Sequence, residues 1–218
     1  MKSLFLLLFS LATFSISAQS DWQLKKDKKD IKVFYRDAAN SYIKELKIET
    51  HLNASLSTIM AFLYDVDLYP EWVYSCSEAK LEEKITASEV YYYSVMDFPW
   101  PMWDRDFIVH STIHQDPKTG VIVTNSVATT DYQAAREDMI RIEEMNIRWT
   151  LTPLKNGSVK VEYYLKSNPG GNIPAWAINL ALDRGPIQSI NNLKKMIRQE
   201  KYQLAKLDFI DDFNTRRQ

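Results

Sequence analysis

Through most of the chain, apolar and polar residues alternate with a period of two, as in strands with one face in a core. In "DIKVFYRDA", Ile31, Val33 and Tyr35 fall on one face and Lys32, Phe34 and Arg36 on the other. "YIKELKIETHL" repeats the pattern with Ile43, Leu46 and Ile48, and a break in phase at Glu45-Leu46 predicts a bulge. The period then changes. Leu56, Ile59, Met60 and Leu63 stand at helical spacing, with Asn53 or Ser55 placed to cap. Pro70 marks a second, short turn that delivers Trp72.

A long meander follows. "CSEAKLEEKI" and "SEVYYYSVMDF" read as strands joined by a turn near Thr86-Ala87-Ser88, "DRDFIVHSTIH" as a strand, and "DPKTG" as a hairpin turn. "VIVTNSVATT" is a further strand and "DYQAARED" a polar connection. "MIRIEEMNIRWTLTPL" is a long strand with an irregularity near residues 144–146. Asn156-Gly157 centres another hairpin turn, after which Val159, Val161, Tyr163 and Leu165 alternate with Lys160, Glu162, Tyr164 and Lys166. The Lys/Asp run of "DWQLKKDKKD" reads as a solvated turn.

Beyond Asn168-Pro169-Gly170-Gly171 the period becomes helical and predicts one long helix over residues 174–204. Pro174 suits its first turn, and a kink is expected at Gly185-Pro186. Ile178, Ala181, Leu182, Gly185, Ser189, Leu193 and Ile197 form one face, whose small members are expected to leave room for a ligand. Many strands with one dominant helix make an α+β domain, the helix packed on one face of a curved antiparallel sheet. A strongly bent sheet around one helix leaves a space that suits a small molecule. The segment 129–138, without proline or glycine, is expected to form a movable gate with the start of the last helix.

Composition narrows the function. A net charge of -1 argues against a nucleic-acid partner, which needs clustered positive charge. No GxGxxG or GKS/GKT stretch supplies a phosphate loop. At the N-terminus, Met1-Lys2, an apolar run over residues 4–16 and the small residues Ser17-Ala18-Gln19-Ser20 read as a secretory signal peptide, residues 1–20. The mature domain is then 21–208, with a tail over 209–218, and the expected location is periplasmic or secreted. Cys76 is the one cysteine, so it forms no intramolecular disulfide and no cysteine-based metal site.

The chemistry-bearing residues are sparse. His110 and His114 lie four apart on one strand face, about 13 Å between Cα atoms, too far for easy joint ligation of a metal. His51 stands alone. GxSxG and HExxH are absent. Glu82-Glu83 and Glu143-Glu144 point to opposite strand faces and cannot share a proton. Neither a catalytic group, a metal nor a cofactor is expected.

Three stretches carry a resemblance. "DVDLYPEWVYSCSEAKLEE" (65–83), "FPWPMWDRDFIV" (98–109) and "GGNIPAWAINLALDRGPIQSINNLKKM" (170–196) resemble, in order and spacing, segments of the START family, lipid-transfer domains with a helix-grip fold. The likeness covers nearly all of the mature chain. It implies a sheet wrapped on the terminal helix with an internal hydrophobic cavity, and a hinge at Pro99 and Pro101 beside the cavity mouth. Arg105 and Asp106 are read as structural, since buried ions usually sit in satisfied pairs. Putting the Arg105 side inward, as the resemblance suggests, gives Phe107, Val109 and Ser111. The apolar phase of the preceding strand gives Tyr93 and Val95, and the last strand gives Tyr163 and Leu165. The helix contributes Ile178, Leu182, Ser189 and Leu193. Over residues 121–128 the two faces are nearly equal and the phase stays open. Tyr91, Tyr92, Trp149 and Trp176 fall on elements that would wall the cavity.

The resemblance implies a monomer that binds, and transfers, a lipid or other hydrophobic small molecule, with transient membrane contact. The alternative is a helix-grip enzyme, cyclase- or hydrolase-like, acting on a hydrophobic substrate. The two differ in whether an ionisable group projects into the cavity. The sequence puts few there, so binding leads. A cavity filled by side chains would leave a structural or partner-binding domain.

Overall fold

The structure, a computed structural model, describes residues 21–213; the expected signal peptide (1–20) and residues 214–218 lie outside the described residues. Ten strands form one sheet. They are β1 (Gln23–Lys28), β2 (Ile31–Arg36), β3 (Glu45–Leu52), β4 (Cys76–Thr86), β5 (Glu89–Met96), β6 (Arg105–Gln115), β7 (Ile122–Ala128), β8 (Ile140–Arg141), β9 (Glu144–Pro153) and β10 (Val159–Asn168). The order is β1-β2-β3-β10-β9-β7-β6-β5-β4, with β8 pairing in parallel with the start of β6. The neighbours along the main path are antiparallel. The helices are α1 (Leu56–Leu63), α2 (Tyr69–Trp72), α3 (Ala175–Ala181), α4 (Arg184–Met196) and α5 (Glu200–Gln203), with a 3₁₀ turn at Val66–Leu68. The α+β architecture with terminal helices on one sheet face is as expected.

Several local expectations change. The Lys/Asp run is an exposed edge strand, β1, turned into β2 by Lys29 and Asp30, both at positive φ (52° and 59°). Two consecutive positive φ values match the twist of a tight hairpin. A strand exposed on both faces carries no apolar alternation, so its sequence hides it, and its charges discourage a further strand from pairing. The phase break at Glu45-Leu46 is the beginning of β3, with Ile43 in the preceding loop. The irregularity in the long strand falls at residues 142–143, between β8 and β9.

The long terminal helix is broken into α3, α4 and α5. Pro186 has no N–H to give and its ring crowds the carbonyl four residues back, so the helix stops before it and restarts with Pro186 in its first turn. Asp183 at that break is buried and takes Lys26 of β1 in an ion pair at 2.7 Å. Residues 209–213, the described part of the expected tail, lie against the body. Ile210 is buried, Gln115 exchanges two 2.8 Å hydrogen bonds with the Asp211 backbone, and Asp212 accepts the Ser57 N–H at the start of α1 at 2.8 Å.

One sheet face packs against the helices. Ile122, Leu151, Val159 and Val161 meet Leu56, Ile59, Phe62 and Leu193 in the largest cluster, and Val33, Leu46 and Ile48 meet Ile190 beside it. On the opposite face, residues 129–139 cross part of the sheet. There Tyr93, Val95 and Ile108 lie under Tyr132 and Met139.

Candidate functional site

Strand register decides which side chains share a face, because directly opposed residues in a pair point the same way. Phe107 opposes Ser94, Val109 opposes Tyr92 and Ala128, and Ser111 opposes Val90 and Ser126. Ser126 opposes Ile147, which opposes Leu165, and Trp149 opposes Tyr163. Phe107, Val109, Ser111, Tyr163 and Leu165 therefore stand on the inner face. The open phase of 121–128 resolves to Ile122, Thr124 and Ser126 inward.

Tyr93 and Val95 do not stand there. They oppose Ile108 and Asp106 on the outer face. The inward residues of β5 include Val90, Tyr92 and Ser94. Tyr91-Tyr92-Tyr93 is aromatic on both faces because the 129–139 segment covers the outer one, so apolar phase alone could not pick the inner side. That segment is not placed as a gate beside the interior. Arg141 makes a bidentate pair with Asp106 (2.8 and 2.9 Å) and donates to the carbonyls of Gln133 and Ala134. Arg136 reaches Glu78, and Tyr132 stacks on Tyr91.

The four helix residues also separate. Leu193 is fully buried in the largest cluster, and Leu182 packs beside Ile190 and Ile48. Ile178 sits half-buried on α3, a helix with no fully buried residue. Ser189 faces protein: its Oγ accepts the Tyr74 N–H at 2.9 Å and donates to the Gly185 carbonyl. A Cβ on Gly185 would come within 3.0 Å of the Tyr74 ring. The small residues of this helix face thus make room for Tyr74 rather than for a ligand.

Tyr64 and Tyr69 complete the inner site. Tyr64 follows Met60 by one helical turn, a spacing that could have found it; Tyr69 is brought in by the 3₁₀ turn. Tyr69 packs edge-on against Tyr92 and Trp72. Its hydroxyl donates to the Leu63 carbonyl at 2.8 Å, and Ser111 and Ser126 share a 2.8 Å hydrogen bond. Three buried donors have no close partner among the described residues: the Tyr64 hydroxyl, the Trp72 indole N–H and, on the outer face, the Tyr93 hydroxyl. Burial pushes the Tyr92 hydroxyl up to about 12, the Ser126 and Tyr69 hydroxyls offsetting part of the rise. Burial likewise raises Tyr64, Tyr69 and Tyr163 above the ordinary tyrosine range. These hydroxyls stay protonated near neutrality and serve as hydrogen-bonding groups.

At the rim, Arg105 is buried and donates to the carbonyls of Pro169, Trp103 and Gly170, with its guanidinium over the Phe98 ring. It ties the "FPWPMWDRDF" corner to the loop before α3. This is the structural role expected of Arg105, and Asp106 has its own in the pair with Arg141. Asn179 fastens α3 to the loop between β2 and β3 (residues 37–44) by accepting the Lys44 N–H and donating to the Tyr42 carbonyl. Large apolar side chains crowd this rim in the open: Trp100 is 92% exposed, Trp103 59%, Trp176 71% and Leu180 79%. Trp176, expected to wall the interior, belongs to this surface.

Among the described residues, no group of three or more His, Cys, Asp and Glu side chains could hold a metal ion. His110 pairs with Glu89 at 2.8 Å and stacks on Tyr91, and His51 pairs with Asp30 at 2.8 Å. No helix of the described residues is long and apolar enough to cross a membrane.

Comparisons with known proteins agree with this architecture. The START domain model matches residues 15–202. The crystal structure of a STAR-related lipid transfer protein from Xanthomonas axonopodis (fragment 25–204) is 31% identical and covers 82% of this chain and 99% of that one, with a TM-score of 0.76. A Pseudomonas aeruginosa protein is 28% identical over 186 residues, 84% of this chain and 91% of that one. Human phosphatidylcholine transfer protein is 27% identical over 186 residues, 83% of this chain and 84% of that one.

Proposed function

The chain belongs to the START domain family, and we propose that it binds a lipid or other hydrophobic small molecule between its sheet and helices and carries it without altering it. The observation that carries this reading is the inner site. Phe107, Val109, Ile147 and Leu165 offer apolar surface there, beside a cluster of tyrosine and serine hydroxyls and a buried donor left without a partner. Each methylene of cargo buried there contributes about 0.8 kcal/mol. The non-catalytic reading is supported by the kind of polar group gathered there, tyrosine and serine hydroxyls that stay protonated near neutrality.

The exposed rim supports transient contact with a membrane. Tryptophan favours the interface between headgroups and acyl chains, and Trp100, Trp103 and Trp176 surround the loops that Arg105 ties together. The chain acts as a monomer outside the cytoplasm after removal of residues 1–20. N-terminal sequencing of the exported protein tests that step, and recovery of intact Met1 in the membrane fraction would refute it. For the carrier reading, the protein is purified from a membrane-containing host and measured by native mass spectrometry, with extraction of what co-purifies. A bound lipid in stoichiometric amount is expected. Bare protein even after incubation with total lipid extract would overturn it.

A further inference from the structure

Three segments meet at the rim, residues 37–44, 97–104 and 168–182. Arg105 ties the second to the third through the carbonyls of Trp103, Pro169 and Gly170, and Asn179 ties the third to the first. Their tips are apolar and stand in solvent: Tyr42 is 93% exposed, and Trp100, Trp103, Trp176 and Leu180 are exposed as well. No Lys, Arg, Asp or Glu occurs from 98 to 103 or from 167 to 182. The cations around these tips are engaged within the protein. Arg105 is buried over the Phe98 ring, Lys44 pairs with Asp37, Arg141 with Asp106, and Arg136 with Glu78 and Asp138. Lys166 of β10 shares a groove with Glu143 and Glu144, and Arg184 comes only after α3 has ended. Of the carboxylates, Asp97 is exposed at the start of the Trp100 corner, and Asp104 closes that corner by accepting the Phe98 N–H at 2.8 Å.

A tryptophan enters the layer between headgroups and acyl chains with its ring in carbon and its N–H on a polar group. An uncharged loop follows it without stripping water from an ion. An anionic surface, by contrast, attracts exposed Lys and Arg, which these tips do not present, and repels a carboxylate such as Asp97. We infer that the rim's partner is a bilayer surface without net charge, entered by Trp100, Trp103 and Trp176 through burial of apolar surface and without help from anionic headgroups. The inference rests on the membrane-contact reading above and narrows it. It also gives a physical reason for the contact to be transient. Apolar insertion without a basic patch is a single signal, and stable anchoring takes two.

The test incubates the full chain as purified with vesicles of dioleoylphosphatidylcholine, or of that lipid with about one third dioleoylphosphatidylglycerol, at about 0.01 M and about 1 M salt. Bound protein is measured after sedimentation. Binding to the neutral vesicles is expected, changing by less than about twofold between the two salt concentrations, and phosphatidylglycerol is expected to leave it equal or weaker at low salt. Binding that requires phosphatidylglycerol, or that falls more than about twofold at high salt, overturns the inference and leaves membrane contact intact. Binding to neither kind of vesicle overturns the membrane reading and the inference with it, as does a stable dimer in light scattering that Trp100→Ala dissolves. Trp100→Ala is expected to weaken binding to neutral vesicles about tenfold with its melting temperature unchanged, because that side chain touches little of the protein. Asp97→Lys is expected to gain at least about fivefold on the anionic vesicles at low salt and nothing on the neutral ones. Full binding by Trp100→Ala, or no gain by Asp97→Lys, would show that this corner does not face the bilayer and would overturn the inference.

Discussion

At one end of the inner face, Ile122, Leu151, Val159 and Val161 meet Ile59, Phe62 and Leu193, and aliphatic and aromatic carbon fills the space. A few residues along β7, past Thr124, the same face carries Ser126 opposite Ser111, with Tyr64, Tyr69 and Tyr92 around them. Both ends lie on the same strands, and both are shut away from solvent. A region that has only to hold the fold together does best with carbon, since every buried hydroxyl must be matched or costs free energy. The hydroxyl end departs from that rule by gathering five hydroxyls, while each end holds one donor without a close partner, Tyr64 here and Trp72 at the packed end. The departure is explained if that end exists for something besides stability.

The contrast breaks most visibly under truncation. Phe62→Ala at the packed end removes a ring held between Trp72 and Tyr202 (centroids at 5.1 and 4.9 Å) and is expected to lower unfolding stability by about 3–5 kcal/mol. Ser126→Ala at the other end deletes a hydroxyl shared with Ser111 and is expected to cost about 1 kcal/mol. Urea titration of the two variants reads the difference. Equal losses would mean that the two ends are one structural core.

Ser189→Trp comes next. Its hydroxyl holds the Tyr74 N–H, and the Tyr74 ring fills the space over Gly185, so an indole there has nowhere to go. Overpacking of this kind costs about 1–3 kcal/mol. With cargo held at the hydroxyl end, as proposed, lipid binding per folded molecule is expected to be unchanged. Loss of binding with full stability would return Ser189 to the cavity wall.

Ser189 shows where sequence reading reached its limit. The pattern gave the strands of the meander, α1, the terminal helical segment and the inward residues of β10, where one face is wetter than the other; for β6, buried on both faces at Phe107 and Ile108, the inward side came from the family resemblance. It failed where that condition fails. Exposed on both sides, β1 has no period to read. In β5 both faces are covered, so the tyrosine triplet carries two periods at once and Tyr93 was chosen over Tyr92. Small residues on a helix announce a close neighbour without saying whether it is a ligand or Tyr74. Ser126 was undecidable until β7 had a register against Ser111. The outer cover over Tyr93 depends on Arg141 reaching Asp106, a pairing that nothing local in either stretch requires.

Tyr64→Phe sharpens the contrast from the other side. Removing a buried hydroxyl with no partner relieves its desolvation and leaves the ring packed, so stability is expected to rise by about 1 kcal/mol. The packed end holds one comparable group, the Trp72 indole N–H. A measured loss of stability would mean that Tyr64 is satisfied in solution and that the hydroxyl end is as settled as the other.

The smallest effect concerns how α4 is fastened over the packed end. Asp30, in the β1–β2 turn, accepts from Lys194 Nζ of α4 at 3.1 Å and from the His51 N–H at 3.1 Å, with His51 Nδ1 at 2.8 Å. Partial burial would raise its pKa, but the His51 and Lys194 contacts outweigh that and hold it at about 2, against an ordinary 3.8. A carboxylate lowered on folding stabilises the fold above its unfolded pKa, and that contribution is lost as pH falls through the folded value. Wild type should therefore exceed Asp30→Asn in stability from about pH 5 upward, and the gap should close between about pH 4 and pH 2. Asp30 is half exposed, so the plateau gap is expected below about 1 kcal/mol and should shrink in high salt. Denaturant melts of both proteins across that pH range measure it. A gap that stays constant down to pH 2 would show that Asp30 acts through the turn geometry of β1–β2, where it sits at positive φ, and that α4 is held over the packed end by Leu193 and its apolar neighbours rather than by this charge.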